Sequence, residues 1–340
     1  MFFAAALIPL ALVACDPSQE SGGQDASEAV TIRSAITPSG SLTGPFLYAV
    51  DHGFYEKEGI EVEVSDGKGS LSTAKDVAQG NVDFGQVGSS TLAQAVDQGL
   101  PLISVAQQYG RGSYGIIVPD NSKIKSLNDL PGSSVVSSAG SPEALFIPAA
   151  LEKLGLDPKS VKILNVDAAV KGSTYANGKG DALGTTVPFF LPIVSGSRPS
   201  HGIFFDEAGI TFPDYSIVVK PEFLEENPET VRKFLRASFE GFAAAAKDPE
   251  GVGESLKKMR RSVTNIGPQV EQFKAYQDYV CSSAQAGHSV GWHSPDAWAE
   301  GLSIMKKYGG IKDDIDNTDR FFTNEFFEGK DAISFEACEK

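Results

Sequence analysis

Between residues 31 and 106 short apolar runs alternate with amphipathic ones, and this alternation constrains the fold more than any other feature of the chain. Residues 31–36, 60–64, 82–87 and 102–106 read as strands, rich in Val and Ile and bounded by Gly, Ser or Asp. Residues 43–52 read as a helix with Phe46, Leu47 and Val50 on one face, ended by Gly53; 72–79 and 90–97 read as two more, the last followed by Gly99. Strands and helices in strict alternation make a parallel sheet with helices on its faces.

A smaller α/β block follows Pro119. Residues 127–131 read as a short helix and 133–137 as a strand; Ser141, Pro142 and Glu143 suit the N-cap, N1 and N2 positions of a helix ending near Gly155. A strand at 161–166, a helix near 168–176 and strands near 182–186, 202–205 and 216–219 complete it. From Pro221 onward the pattern is helical. Asn227-Pro228-Glu229 opens a helix with Val231, Phe234, Leu235, Phe239 and Phe242 on one face. Ser294-Pro295-Asp296 opens another with Trp298, Leu302 and Met305 in register, and both faces read as core. No internal repeat is visible, which excludes solenoids and propellers.

Residues 1–14 are an apolar run ending in Leu12-Val13-Ala14, closed by Cys15 and then Asp16 and Pro17. Such a run is shorter than the roughly 20 residues of a spanning helix and reads as an export leader, although no Lys or Arg precedes it. It resembles a bacterial lipoprotein signal, which implies lipidation at Cys15; an ordinary secretory leader is the alternative. Residues 15–29 are small and polar and read as a flexible tether, with the fold starting near Val30. Lys and Arg total 29 against 44 Asp and Glu, a net charge of −15, which argues against nucleic acid or anionic lipid as the main partner. Beyond Cys15 only Cys281 and Cys338 remain, a candidate disulfide in an exported protein, with no neighbouring Cys or His to suggest zinc.

The chemistry-bearing motifs are mostly negative. Gly110-Arg111-Gly112-Ser113-Tyr114-Gly115 spells a dinucleotide fingerprint, but a strand follows it where the pyrophosphate needs a helix N-terminus. Gly178-Lys179-Gly180 lacks the spacing and the Ser or Thr of a phosphate loop, and no G-x-S-x-G elbow occurs. His52, His201, His288 and His293 fall in unrelated contexts and read as surface or supporting residues, so neither a catalytic centre nor a metal or cofactor is expected. Five Ser/Thr/Gly loops remain, at 37–43, 66–70, 88–91, 137–143 and 185–189. In an open parallel sheet, loops leaving the carboxyl ends of the strands present hydroxyls and helix N–H groups to ligands.

Four segments carry a family resemblance: GFYEKEGIEV at 53–62, VAQGNVDFG at 77–85, SLNDLPG at 126–132 and WAEGLSIMKKYGGI at 298–311. With them the chain resembles the substrate-binding proteins of ABC importers, in the SsuA/THI5-like or NMT1-like group that includes binders of sulfonates, taurine, nitrate and thiamine-pyrimidine precursors. The resemblance implies an α/β, two-lobed periplasmic-binding-protein-like fold of type II, lobe one being 30–110 plus 216–340 and lobe two 111–215. It implies crossings near 109–113 and 212–216, closure on a small ligand, and delivery by a monomer to a permease and its ATPase, with any membrane contact through the lipid anchor alone. It places Ser39, Ser41, Thr43, Ser89 and Ser90 at the lobe-one face of the cleft, and Ser138, Gly140, Ser141, Thr185, Thr186 and Phe189 at the lobe-two face. Arg111 would face an anionic group, and Phe46, Tyr109 and Tyr114 could stack a flat ligand. An aromatic carboxylate, a sulfonate and a pyrimidine all remain open as ligands. So do a pyrimidine-synthesising enzyme on the same fold, which in that group carries a cysteine cluster absent here, and an extracytoplasmic sensor.

Overall fold

The first alternation resolves into a five-stranded sheet, β2-β1-β3-β10-β4. Its strands are β1 (Glu28–Arg33), β2 (Ile60–Ser65), β3 (Phe84–Val87), β4 (Ile103–Tyr109) and β10 (Asp214–Val219), which returns from much later in the chain. The computed structural model describes residues 28–138, 141–167, 170–281, 287–312, 317–330 and 332–333. β1 is parallel to β2 and β3, while β10 runs antiparallel between β3 and β4. β2 shows the governing pattern: Ile60, Val62 and Val64 are buried and Glu61 and Glu63 exposed. β1 starts earlier than the composition suggested, because Glu28 and Ala29 pair with Ile60 and Glu61. The remainder of the expected tether, and Cys15 with its leader, lie outside the described residues.

Helices α1 (Gly44–Asp51), α2 (Phe54–Lys57), α3 (Ser70–Ala78) and α4 (Ser89–Asp97) fill the connections of this sheet. The second sheet has the order β7-β6-β8-β5-β9. It comprises β5 (Tyr114–Pro119), β6 (Ser134–Ser137), β7 (Lys162–Asn165), β8 (Ala182–Thr186) and β9 (Ser200–Phe204), with α5 (Pro142–Lys153), α6 (Lys171–Ala176) and α7 (Val187–Val194). β6 is parallel to β7 and β8, and β5 is antiparallel to β8 and β9. The strand following the glycine-rich 110–115 segment is β5, as its sequence indicated. Two local expectations give way. The short helix at 127–131 is a 3-10 turn, Leu127–Asp129, closed by a Ser126/Asp129 capping box. The loop expected at 185–189 does not exist: β8 runs directly into α7, whose first-turn proline is tolerated where the N–H has no helical partner.

Among the described residues five helices follow: α8 (Pro221–Glu226), α9 (Pro228–Lys247), α10 (Pro249–Met259), α11 (Gly267–Val280) and α12 (Pro295–Lys307). The expected faces of α9 and α12 are buried, with Phe234 stacked on Phe84 at 4.0 Å between ring centroids. One apolar core runs without a break from α3 and α4 through Phe212 and Trp298 to Phe146 in α5. α12 closes that seam with ion pairs Lys153–Glu300 and Lys307–Glu152.

The chain passes between the sheets at 110–113 and 205–213. The crossings touch where a Cβ on Gly112 would lie 2.5 Å from the Phe212 carbonyl oxygen, a spacing that only glycine permits.

Candidate functional site

Strand directions locate the site. β4 ends at Tyr109, opposite Asp214 at the start of β10, and β5 begins at Tyr114, opposite Thr186 at the end of β8. Both crossings therefore attach where the parallel strands of each sheet end, so the carboxyl ends of the two sheets face each other across them. Ligands of open α/β sheets bind outside such ends. The gap is bridged by Gln272 of α11, which accepts from the Gly40 N–H (3.3 Å) and donates to the Phe189 carbonyl (3.3 Å).

The sequence-derived residues divide by what their side chains already do. Ser39 accepts from the Leu42 N–H at 3.2 Å, Thr43 meets Ser34 at 3.0 Å, and Ser141 meets Ser137 at 3.1 Å. Ser89 donates to the Asp214 carbonyl at 3.0 Å, and Ser90 lies 3.5 Å from the Tyr114 hydroxyl. By contrast, the hydroxyls of Ser41, Ser138 and Thr185 are buried without a hydrogen-bond partner, as is that of Tyr276, which the sequence reading missed. Buried polar groups are nearly always paired, so these four are candidates to bond a ligand; the Ser133 and Ser195 hydroxyls and the Gln269 side-chain oxygen are unpaired as well. Thr186 occupies the N-cap position of α7 without a side-chain cap, Phe189 lies in the first turn of that helix, and Gly140 lies outside the described residues. Phe46 is a correction: it is fully buried on α1 between Phe234 and Phe242, because that face of α1 covers the first sheet.

Rings close the gap. Tyr109 and Tyr276 lie 4.5 Å apart between centroids, Tyr215 stands edge-on to Tyr109, and Tyr279 leans on Phe204 of the second sheet. Leu42, Ile36 and Phe189 pack on this cluster. Burial holds Tyr109, Tyr114, Tyr215 and Tyr276 well above the ordinary phenol range, and Asp214's negative charge adds to the effect, so at neutral pH all four carry O–H groups.

Asp214, also unforeseen, ties the crossings together. Its carboxylate accepts from the Ser113 and Tyr114 hydroxyls of the first crossing, the latter at 2.8 Å, and from the Tyr215 N–H at 3.0 Å. Its carbonyl receives Ser89 and the Gln107 amide. Burial pushes its carboxyl up to about 6 against those bonds, with the charge of Glu143 raising it further.

The charged groups nearby are paired with one another. Arg111, half-exposed, pairs with Asp206 (Nε to Oδ2 2.7 Å) and lies over the Tyr279 ring. Lys171 pairs with Glu143 in a buried contact and lies over Phe190. His293 is wholly buried, a supporting position and not a surface one. Its Nδ1–H donates to Asn324 (3.0 Å) and its Nε2 accepts from Ser104 (2.7 Å), a Ser-His-Asn chain with the spacing of a hydrolase. Burial also pushes the imidazole down to about 3, and Ser104 is equally enclosed, so the trio has neither a useful base nor access and serves to pin Asn324. Cys281 is disulfide-bonded; Cys15 and Cys338, the only other cysteines, lie outside the described residues. Among the described residues no group of three or more His, Cys, Asp or Glu could hold a metal ion. Nor is any described helix long and apolar enough to cross a membrane.

Residues 42–252, more than half of the chain, match the family model described as NMT1/THI5 like. The chain belongs to the NMT1/THI5-like family. The riboflavin-binding protein RibY of Chloroflexus aurantiacus is similar to this NMT1/THI5-like chain at 24% identity over 315 residues, covering 90% of the chain and 88% of that protein. A 4-amino-5-hydroxymethyl-2-methylpyrimidine phosphate synthase of Legionella pneumophila is 27% identical over 220 residues, 62% of the chain and 68% of that protein. The periplasmic aliphatic sulphonate binding protein SsuA of Escherichia coli superposes with a TM-score of 0.70 at 17% identity, covering 89% of this chain and 94% of that one. The NMT1/THI5-like protein thus has the α/β, periplasmic-binding-protein-like fold, two sheets flanked by helices.

Proposed function

We propose that this protein is the extracytoplasmic solute-binding component of an ABC importer. It captures a small, flat organic molecule between lobe one (30–110 and 216–340) and lobe two (111–215), and passes it to a permease and ATPase. The observation that carries this reading is the set of partnerless buried hydroxyls, Ser41 and Tyr276 on one lobe and Ser138 and Thr185 on the other, beside the tilted ring pair of Tyr109 and Tyr276. A ligand bonding to both sets stabilises the closed arrangement, which is how a two-lobed receptor couples capture to shape. The name of the riboflavin-binding relative supports a ring-shaped cargo. Cys15 as a lipid anchor would keep the monomer beside its permease.

The synthase relatives favour a second reading, an enzyme. The enclosure of the Ser104-His293-Asn324 chain and the absence of a cysteine cluster count against it. A thermal-shift screen of pyrimidines, flavins, aromatic carboxylates and sulfonates tests the proposal, since a ligand that binds only the folded state raises the melting temperature. The stabilising compound should be recovered chemically unchanged, and Ser138→Ala and Tyr276→Phe should each weaken it. Conversion of the compound, or stabilisation indifferent to both substitutions, would sink the reading.

A further inference from the structure

We propose, on the strength of the capture reading above, that Gln272 of α11 is a positioning residue: a latch that holds lobe two against lobe one at the mouth of the cleft. Residues 269, 272, 276 and 279 are spaced three, four and three apart, and so share one face of that helix. Tyr276 and Tyr279 on this face belong to the ring cluster that fills the gap. The rest of the helix is built into lobe one. Phe273 is buried in the core of the first sheet, a Cβ on Gly253 of α10 would lie 3.0 Å from Val270, and the Gln277 amide donates to the Ala246 carbonyl at 2.8 Å. The loop before α1 is seated on α11 as well, because a Cβ on Gly40 would fall 1.7 Å from the Gln269 carbonyl oxygen. α11 and that loop therefore form one platform.

From this platform Gln272, 4% exposed, reaches across to the other lobe. One end of its amide accepts from the Gly40 N–H of lobe one, and the other donates to the Phe189 carbonyl of lobe two. Gly40 precedes Ser41, and Phe189 lies four residues after Thr185. A single side chain thus fixes the two stretches that carry unpaired hydroxyls on opposite sides of the cleft. Between described residues, the other hydrogen bonds that join the lobes lie beside the crossings, as Ser89 with Asp214 does, or along the α12 seam, as Lys153 with Glu300 does. Gln272 holds the remaining side.

The latch consists of protein groups alone, so it acts with or without a cargo. Both of its bonds measure 3.3 Å, the long end of the N–H···O range, and a bond of that kind shifts an equilibrium by a few-fold. Such a contact favours the closed arrangement and still yields when the cargo leaves. Apparent affinity scales with the fraction of molecules in the binding-competent arrangement, so Gln272 tunes capture through the lobes themselves.

Two substitutions separate a latch from a merely structural role. Gln272→Glu keeps an acceptor for the Gly40 N–H at pH 7.5 but loses the donor to Phe189, whereas Gln272→Met keeps the volume and loses both bonds. X-ray scattering and hydroxyl-radical footprinting are read on the full chain with no compound added. Both variants should raise the oxidation rates of Tyr109 and Tyr276, each 1% exposed, by about three- to tenfold and enlarge the radius of gyration. Phe84, wholly buried in the core of lobe one, should stay protected. A footprint and scattering profile of Gln272→Glu that match the parent's overturn the inference, and so does a rise at Tyr109 and Tyr276 that Phe84 shares, since that is unfolding. Either result leaves capture standing, because the compound screen is run on the parent protein. Lobes that part in both variants while the screen finds no compound would instead keep the latch and remove capture.

Discussion

Replacing Asp214 by asparagine isolates one titration at the junction of the two sheets. Burial raises this carboxyl from an ordinary 3.8 to about 6. A shift of that size, about 2 units, corresponds to roughly 3 kcal/mol at 1.36 kcal/mol per unit. Between about pH 4 and pH 6 the folded protein holds a proton that the unfolded chain has released, so the contribution of Asp214 to stability falls as pH rises through that window. Below it both states are protonated and the penalty vanishes; above it the full penalty is present. Other acids run the opposite way: hydrogen bonds from Ser134 hold Asp181 below the usual carboxylate range, and Asp51, bonded by Lys258 and Ser255, is also lowered despite its burial. These occur in both chains and cancel in a difference. Urea unfolding at half-unit steps from pH 4 to 7.5, parent minus Asp214→Asn, should therefore show the parent losing roughly 3 kcal/mol relative to the variant across the window. The lost bonds to Ser113 and Tyr114 add an offset that does not depend on pH. A flat difference, or one that rises with pH, would refute the account of a carboxyl held against desolvation.

Thr185→Val removes a hydroxyl that bonds to nothing within the protein, so it should leave the ligand-free melting temperature unchanged or slightly higher and cost up to about tenfold in ligand affinity. His293→Ala removes the ring's bonds to Ser104 and Asn324 and opens a cavity, while Asn324 keeps its bonds to the residue 293 backbone; unfolding free energy should fall by about 3 kcal/mol in denaturant titrations while ligand affinity holds. Gly301→Ala places a methyl 2.0 Å from the Phe212 ring in the seam under α12, and a loss of about 1–3 kcal/mol is expected from the same titrations. Peptide mapping without reductant should find Cys281 joined to Cys338, and a free thiol at Cys338 would exclude that pairing.

The first sheet was legible because each strand and helix there carries its own period, as Ile60, Val62 and Val64 do against Glu61 and Glu63. α7 was not, since Val187-Pro188-Phe189-Phe190-Leu191-Pro192 is apolar throughout and its prolines imitate a loop. The site was half legible for a related reason. Serines at strand ends announce a cleft, and Ser41, Ser138 and Thr185 are among them. Which hydroxyls are free depends on partners far away in sequence, such as Asp214 for Ser89. Tyr276 and Tyr279 sit one turn apart on an unremarkable helix, and only the packing of α11 on α7, through Gln272 and Phe189, brings them to the gap. Arg111 stood out in sequence as a lone cation at a crossing; Asp206, which neutralises it, gives no sign of doing so until the chain is folded.

The seam under α12 has a mechanical consequence. Because Trp298, Phe212 and Phe146 belong to one continuous core, the two halves are joined along one side by packed side chains as well as by two strands of backbone. Any widening of the gap pivots on that side, as a lever turns on its fulcrum, and displacement grows with distance from it. Contacts close to the pivot, such as Lys153 with Glu300, barely lengthen during such a swing, whereas those remote from it, such as Gln272 with Phe189, part first. On the capture reading proposed above, a cargo bonding near Gln272 would act at the long arm, where a few weak bonds would suffice to hold the jaws together.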